Sequence, residues 1–441
     1  MEANVNLALR KLGVNFCLKD QQRETLESLY EGNDCISVLP TGYGKSLIFQ
    51  MLPWVLKAEN VSRMVIVICP LTAIMQDQVM SLCKKGIKAY YINIQGTGIC
   101  CVKRSGEESD SDSDDLVQPE IITSTDMSVI TRGEVEILYC HPEALFTKSV
   151  SRMLRIAVDE VHMIEEWGED FRPKFQQIGE LTALFPNAAH LAVTATATPS
   201  SIAFLSKTLQ YSKPVVITVN PDRPNLYLEI KTRLPNIHKY DKYDDIIQPL
   251  TQELKDLGDR YPVTIVYVES LEALGYFYQY INYELKDDQY IGDPIPENRI
   301  FGQYHKDYTT AMKLHIVTEL KKEKPKLRLI LATVALGMGL DAPGIVRIVY
   351  CRPPTTLEKY FQEIGRAGRR GQKAIATMYF NNNDLAKHRK GLSEAMVKYC
   401  KGNHGCFRLQ LLQYFGFDKA IFNGPKDECC SFCRSQNSEL E

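Results

Sequence analysis

Short, almost wholly apolar runs recur along the chain at helix-sized intervals, and that alternation restricts the folds open to it. Cys35–Leu39, Met64–Cys69, Val135–Cys140, Arg155–Glu160 and Leu191–Thr196 form one set. After Pro221 the pattern restarts with Thr264–Glu269, Leu327–Thr333, Val346–Cys351 and Ala374–Phe380. Runs that stay apolar without alternating suit strands buried on both faces, as in parallel sheets. Two successive sets of βα units predict two α/β layers of similar size. The length of 441 residues also points to two or three domains.

The junction Asn220–Asn225 (NPDRPN) carries two prolines and reads as a linker. Residues from about Gly98 to Thr131 have few large apolar side chains and contain the acidic block Gly106–Asp115. They read as a disordered surface insertion in the first layer. A third segment, from about Leu392, has helical periodicity and ends in a group of cysteines.

No apolar run reaches the roughly 18 residues that span a bilayer, so no membrane partner is expected. The N-terminus lacks a basic segment followed by an apolar core, which predicts an intracellular protein. Its 13 cysteines are then expected as thiols or metal ligands, with Cys35, Cys69, Cys140 and Cys351 as small core residues. The net charge of −2 is neutral on nucleic acid, but the last third is locally basic around Lys321–Lys326, Gly365–Lys373 and Lys387–Lys390.

Between a strand run and a helical run lie Thr41, Gly42, Gly44, Lys45 and Ser46. Glycines let backbone amides approach phosphate, and the following helix N-terminus adds a favourable field. Lys45 would reach the β/γ-phosphates and Ser46 would ligate Mg²⁺. Leu39 stands where the generic phosphate loop has its first glycine. The run ending in Val158 delivers Asp159 and Glu160 to a strand's carboxyl end, where open α/β sheets bind ligands. Asp159 suits Mg²⁺, and Glu160 suits a base for attacking water. Further on, Gln362, Arg366 and Arg369 are spaced i, i+4, i+7 and would share one helix face. The two guanidinium forks can neutralise charge on a transferring phosphoryl group.

Taken in this order, the motifs resemble those of superfamily 2 helicases, and of the RecQ family in particular. LPTGYGKSLIFQ (Leu39–Gln50) is similar to the family's phosphate loop, and DEVH (Asp159–His162) stands for its DEAH box. TATAT (Thr194–Thr198), the stretch Ala332–Tyr350 and QEIGRAGRRG (Gln362–Gly371) resemble motifs III, V and VI. HMIEEWGEDFRPKF (His162–Phe175) resembles the RecQ aromatic-rich loop, and DRPN (Asp222–Asn225) and YFG (Tyr414–Gly416) also match.

The resemblance implies an α/β fold of two tandem RecA-like, doubly wound parallel-sheet domains, residues 1–219 and 220–391, followed by a small helical zinc-binding subdomain, 392–441. It implies an ATP-dependent 3′-to-5′ DNA helicase acting on single-stranded and forked DNA in replication, recombination and repair, with a nuclear location. ATP would be held by Lys19, Gln22, Thr41, Gly42, Gly44, Lys45, Ser46 and Gln362. DNA would meet Trp167, Phe171, Arg172, Phe175 and Thr333. The rings offer stacking faces and Arg172 a phosphate contact. His162, Thr194 and Thr196 would couple the two sites.

LKDQQRETL (Leu18–Leu26) resembles the adenine-reading element, with Leu18, Lys19 and Asp20 in place of Phe, Arg and Pro. Spacing to Lys45 favours Gln22 as the reader, whereas the upstream Leu12-Gly13 favours Gln21. Glu169 and Arg370 also depart from common family residues. CFRLQLLQYFGF (Cys406–Phe417) resembles the helix that opens the zinc subdomain, and adjacent Cys429-Cys430 with Cys433 resembles the Werner-syndrome branch. Cys406, Cys429, Cys430 and Cys433 are the implied Zn²⁺ ligands, with Cys400 an alternative to Cys429 or Cys430. The chain stops just past them, so strand separation is expected to rest on the two lobes and the zinc module without a winged helix. The acidic insertion is expected as a solvated linker or a protein-partner segment.

Overall fold

A computed structural model describes residues 1–56, 64–69, 72–93, 98–101, 120–122, 134–141, 155–158, 178–184, 188–333, 342–402 and 405–438. The chain divides into two compact units, Met1–Val219 and Asn220–Glu441.

The first unit is built on a nine-stranded sheet. Its strands are β1 (Cys35–Val38), β2 (Val65–Ile68), β3 (Ala89–Asn93), β4 (Gly98–Cys101), β5 (Glu120–Ile122), β6 (Ile137–Cys140), β7 (Arg155–Val158), β8 (Leu191–Thr194) and β9 (Val215–Thr218). Their order is β5-β4-β3-β6-β2-β7-β8-β1-β9. All pairings from β3 to β9 are parallel. Every residue of β1, β2, β6 and β8 is buried, because strands covered by helices on both faces tolerate no polar alternation. The expectation of a structureless insertion at 98–131 needs correction at its ends. Gly98–Cys101 and Glu120–Ile122 extend the sheet as two antiparallel edge strands, and the acidic block between them lies outside the described residues.

The second unit carries six parallel strands: β10 (Leu226–Thr232), β11 (Val263–Tyr267), β12 (Phe301–Tyr304), β13 (Leu329–Ala332), β14 (Ile345–Tyr350) and β15 (Ala374–Phe380). Their order is β10-β15-β14-β11-β13-β12. Successive residues feed opposite faces, as strand geometry requires. Ile265, Ile330 and Ile348 enter one core, and Val266, Leu331 and Val349 the other. Helices Asp244–Leu257 and Leu271–Leu285 cover the second core.

The first core is shared with the third segment. Its helices Glu394–Lys401 and Phe407–Tyr414 bury Met396, Tyr399, Phe407 and Leu411 against helix Leu357–Ile364 and the sheet. Fully burying a large apolar side chain is worth about 1.5–3 kcal/mol. The segment is therefore held to this lobe by ordinary packing as well as by its cysteines. Among the described residues, no helix is long and apolar enough to cross a membrane.

Candidate nucleotide loop, arginine turn and metal centre

At the carboxyl end of β1 the chain turns through Leu39–Gly44 into helix Lys45–Val55. Gly42 (φ +82°) and Gly44 (φ +94°) are left-handed, which only glycine adopts without strain. Thr41, Gly42 and Gly44 lie in the turn and Lys45 and Ser46 open the helix, whose first amides have no intrahelical acceptor. Lys45 Nζ donates to the Leu39 carbonyl at 3.3 Å, folding back over the loop.

Gln22 braces this turn from behind. It is 1% exposed, and its Nε2 donates to the Tyr43 and Gly44 carbonyls at 3.1 and 3.2 Å. Its Oε1 accepts from the Lys19 amide at 2.9 Å. Both amide protons of Gln22 are thus engaged by the loop, with none left for a base. The Tyr43 hydroxyl donates to Gln21 Oε1 at 2.5 Å, and Lys19 Nζ lies 4.0 Å from the Tyr43 ring centre. Burial lowers the Lys19 pKa from its ordinary value.

Strands β1, β7 and β8 run parallel, so Val38, Val158 and Thr194 end on the same edge of the sheet. Asp159 and Glu160, the next residues after β7, lie outside the described residues, as do His162, Trp167, Phe171, Arg172 and Phe175. Thr194 and Thr196 are buried beside the loop. Thr194 Oγ1 donates to the Thr196 carbonyl at 3.0 Å, and the Leu39 amide donates to the Thr194 carbonyl at 2.9 Å. Among the described residues, Thr196 Oγ1 is buried without a hydrogen-bond partner.

In the second unit, Gln362 sits on helix Leu357–Ile364, but the helix does not continue through the arginines. This corrects the single helical face expected for Gln362, Arg366 and Arg369. Gly365 caps the helix and Gly368 is left-handed at φ +63°, so Arg366 and Arg369 lie in a succession of turns. A Cβ on Gly368 would meet Asn225 Nδ2 at 2.5 Å and the Gln372 carbonyl at 2.8 Å. Arg366 is only 5% exposed, and Arg369 Nε donates to the Gly365 carbonyl at 3.5 Å. Thr333 follows β13, its amide donating to the Tyr304 carbonyl at 3.3 Å.

The proline-bearing junction contributes groups, Arg223 and Asn225, to which the sequence assigned no role. Arg223 Nη1 donates to the Gly365 carbonyl at 3.3 Å, and its Nη2 to the Ala367 and Gly368 carbonyls at 2.9 and 2.7 Å. Asn225 Nδ2 donates to the Gly368 and Gln372 carbonyls, each at 2.8 Å. Prolines flanking an Arg signal a bend, but nothing local says which distant turn it will hold.

Cys406, Cys429, Cys430 and Cys433 converge, with their Sγ atoms all within 4.8 Å of one another. Cys406 precedes helix Phe407–Tyr414, and Cys433 lies in the first turn of helix Ser431–Ser438. Four thiolates placed tetrahedrally at a Zn–S distance of about 2.3 Å would sit about 3.8 Å apart. The Cys406–Cys429 and Cys406–Cys430 separations are 3.6 and 3.9 Å. The donor set and spacing fit Zn²⁺. Cys400, the alternative ligand, is instead buried against Met396 at 3.7 Å, and burial pushes its thiol up to about 12.

Hydrogen bonds with Cys406 and Cys429 hold Cys430 well below the ordinary thiol range, while those with Cys406 and Cys430 raise Cys429. The centre docks on edge strand β10 through the Leu228–Cys430 bridge and the Ile230 amide, which donates to Ser431 Oγ at 3.1 Å. That contact also blunts an exposed sheet edge.

Comparison with known proteins agrees with this layout. The DEAD/DEAH box helicase family matches residues 19–205, the helicase conserved C-terminal domain 250–371 and the RecQ zinc-binding domain 370–434. The fold overlays the Mycobacterium smegmatis helicase Lhr bound to ssDNA and AMP-PNP with a TM-score of 0.63 at 16% identity, covering 96% of this chain and 51% of that one. The chain is thus two RecA-like helicase domains with parallel sheets, followed by a RecQ zinc-binding domain.

Curated relatives narrow the class. ATP-dependent DNA helicase Q1 of Pongo abelii is 28% identical over 433 residues, 93% of this chain and 59% of the relative. ATP-dependent DNA helicase RecQ of Pasteurella multocida is 26% identical over 417 residues, 90% of this chain and 57% of the relative. Domains and relatives together support a RecQ helicase. The chain spans less than two thirds of these relatives' length.

Proposed function

We propose that this chain is an ATP-dependent DNA helicase motor that steps 3′ to 5′ along single-stranded DNA and opens duplex or forked DNA. The observation that carries the reading is the four-thiol centre built into the core of the second lobe. It joins a RecQ-type module to a chain whose first lobe carries a glycine phosphate loop.

In this reading Lys45 neutralises the β/γ-phosphates, and Ser46 and Asp159 would hold Mg²⁺. Glu160 accepts a proton from the water that attacks the γ-phosphorus as ADP departs. Arg366 and Arg369 offset charge on the transferring group. Gln22 acts by bracing the loop, leaving Gln21, Lys19 and Tyr43 nearer any base. Gln362 adds a nucleotide contact. Trp167, Phe171 and Phe175 stack bases, Arg172 and Thr333 contact the strand, and His162, Thr194 and Thr196 transmit its presence to the loop. Zinc on Cys406, Cys429, Cys430 and Cys433 would be structural, since four protein ligands leave no open position.

Strand displacement on 3′-tailed, 5′-tailed and blunt duplexes tests the reading. Opening of only the 3′-tailed duplex is expected, and a 5′ preference would refute the polarity. Competition between DNA and RNA as activators of ATP hydrolysis separates DNA from RNA as the track. Adjacent Cys429 and Cys430 favour the Werner-syndrome branch. A nuclear location and work in replication, recombination and repair accompany this reading, with the acidic insertion as a segment for protein partners. Imaging a tagged chain and deleting Gly106–Asp115 test those points.

A further inference from the structure

The carbonyls of turns that follow a helix end have no regular ladder of amide donors, and a cation placed there is favoured by the helix dipole. Helix Leu357–Ile364 stops just before Arg366. The Gly365, Ala367 and Gly368 carbonyls converge on one guanidinium, that of Arg223, which arrives from more than 140 residues away in sequence. Asn225 closes the other side of the same turn, and Gly368 leaves no room for a Cβ between them.

The clamp is itself anchored. Asp222 Oδ1 accepts from Arg408 Nη1 at 2.6 Å, with both side chains at most 4% exposed. Its Oδ2 accepts the Ile421 and Phe422 amides at 2.6 and 2.8 Å. Arg408 also donates to the Arg223 carbonyl at 2.8 Å and to the Cys429 carbonyl at 3.4 Å. The backbone on either side of the Arg223 fork is therefore fixed by a buried cluster in which both Arg408 terminal nitrogens and both Asp222 oxygens are engaged. Gly365, Gly368 and Gly371 weaken any continuation of the helix, and the clamp holds the chain in the turns that replace it.

We propose that Arg223 is the positioning residue of the arginine turn: its fork on the three carbonyls sets where Arg366 and Arg369 are presented for ATP hydrolysis. The inference rests on the proposed role of those two arginines. Lysine can supply the charge at this point but not the rigid planar fork whose two separate nitrogens reach the three carbonyls.

The test measures DNA-stimulated ATP hydrolysis in wild type, Arg223→Ala, Arg223→Lys, Arg366→Ala and the Arg223→Ala/Arg366→Ala double variant, with zinc content and melting temperature recorded for each. A misplaced turn should lower kcat on the order of tenfold to a hundredfold in both Arg223 variants. KM for ATP should stay within about twofold, because only the transition state is affected. The loss in the double variant should be smaller than the product of the two single losses, because both act through the same turn. Wild-type kcat in both Arg223 variants, or losses that multiply in the double variant, would overturn the inference. So would a fall in kcat that tracks loss of zinc or of thermal stability. Unchanged turnover in Arg366→Ala would instead overturn the reading of the arginines themselves.

Discussion

The phosphate loop of the first lobe and the arginine turn of the second are both glycine-shaped bends beside a helix end, yet they are held in opposite ways. Around the loop the bracing groups are close in sequence: Gln22 reaches Tyr43 and Gly44 across a single helix and strand. Around the turn they come from the far end of the lobe, with Arg223 and Asn225 gripping Gly365, Ala367 and Gly368. The loop is braced from the helix just before its strand, and the turn by a segment more than 140 residues away in sequence. A locally braced bend can be read from its motif, whereas a remotely clamped one borrows its geometry.

That contrast can be broken experimentally, beginning where the effect is largest. Lys45→Ala should reduce ATP turnover on the order of 10²–10³-fold or more, as loss of a directed charge at a phosphoryl site does. Full turnover in steady-state assays would remove the loop from the chemistry. Arg408→Met strands the buried Asp222 carboxylate and should cost about 3–5 kcal/mol in denaturant unfolding. A loss well below that would show that the anchor of the clamp is dispensable.

Glycine replacements sharpen the comparison further. Gly368→Ala should cost about 2–4 kcal/mol from left-handed backbone strain and overpacking. Adding Asn225→Ala should not recover it, because the Gln372 carbonyl would still lie 2.8 Å from the new Cβ. Gly44→Ala should cost less, about 1–2 kcal/mol. Its closest obstacle is the flexible Gln22 Nε2 at 2.5 Å. Gly44→Ala combined with Gln22→Ala should therefore be less destabilising than the two single losses summed. Equal behaviour at the two glycines would erase the distinction between local and remote bracing.

Strand legibility followed burial. The central strands, such as β1, β2, β8, β11 and β13, are buried at every position and show in the sequence as unbroken apolar runs. The strands that escaped notice include β9, β10 and β12, which lie at sheet edges and expose part of their length. An edge strand buries one face against helices and has a single neighbour, so its composition resembles that of a loop. Cys35, Cys69, Cys140 and Cys351 are fully buried, as small side chains within strand runs should be.

The local placement of contiguous residues was therefore legible in the sequence: glycines and a lysine at a strand-to-helix bend, and thiols three residues apart at a helix start. Their backbone geometry follows from φ preferences and helix periodicity, which are local. Gln22's hydrogen bonds to the loop, Cys400's separation from the thiol cluster and the breaking of the helix ahead of Arg366 were decided only by tertiary structure. Each depends on which distant donor or apolar surface satisfies a buried group. Burial makes an unpaired carbonyl costly, but sequence spacing does not say which residue will pair with it.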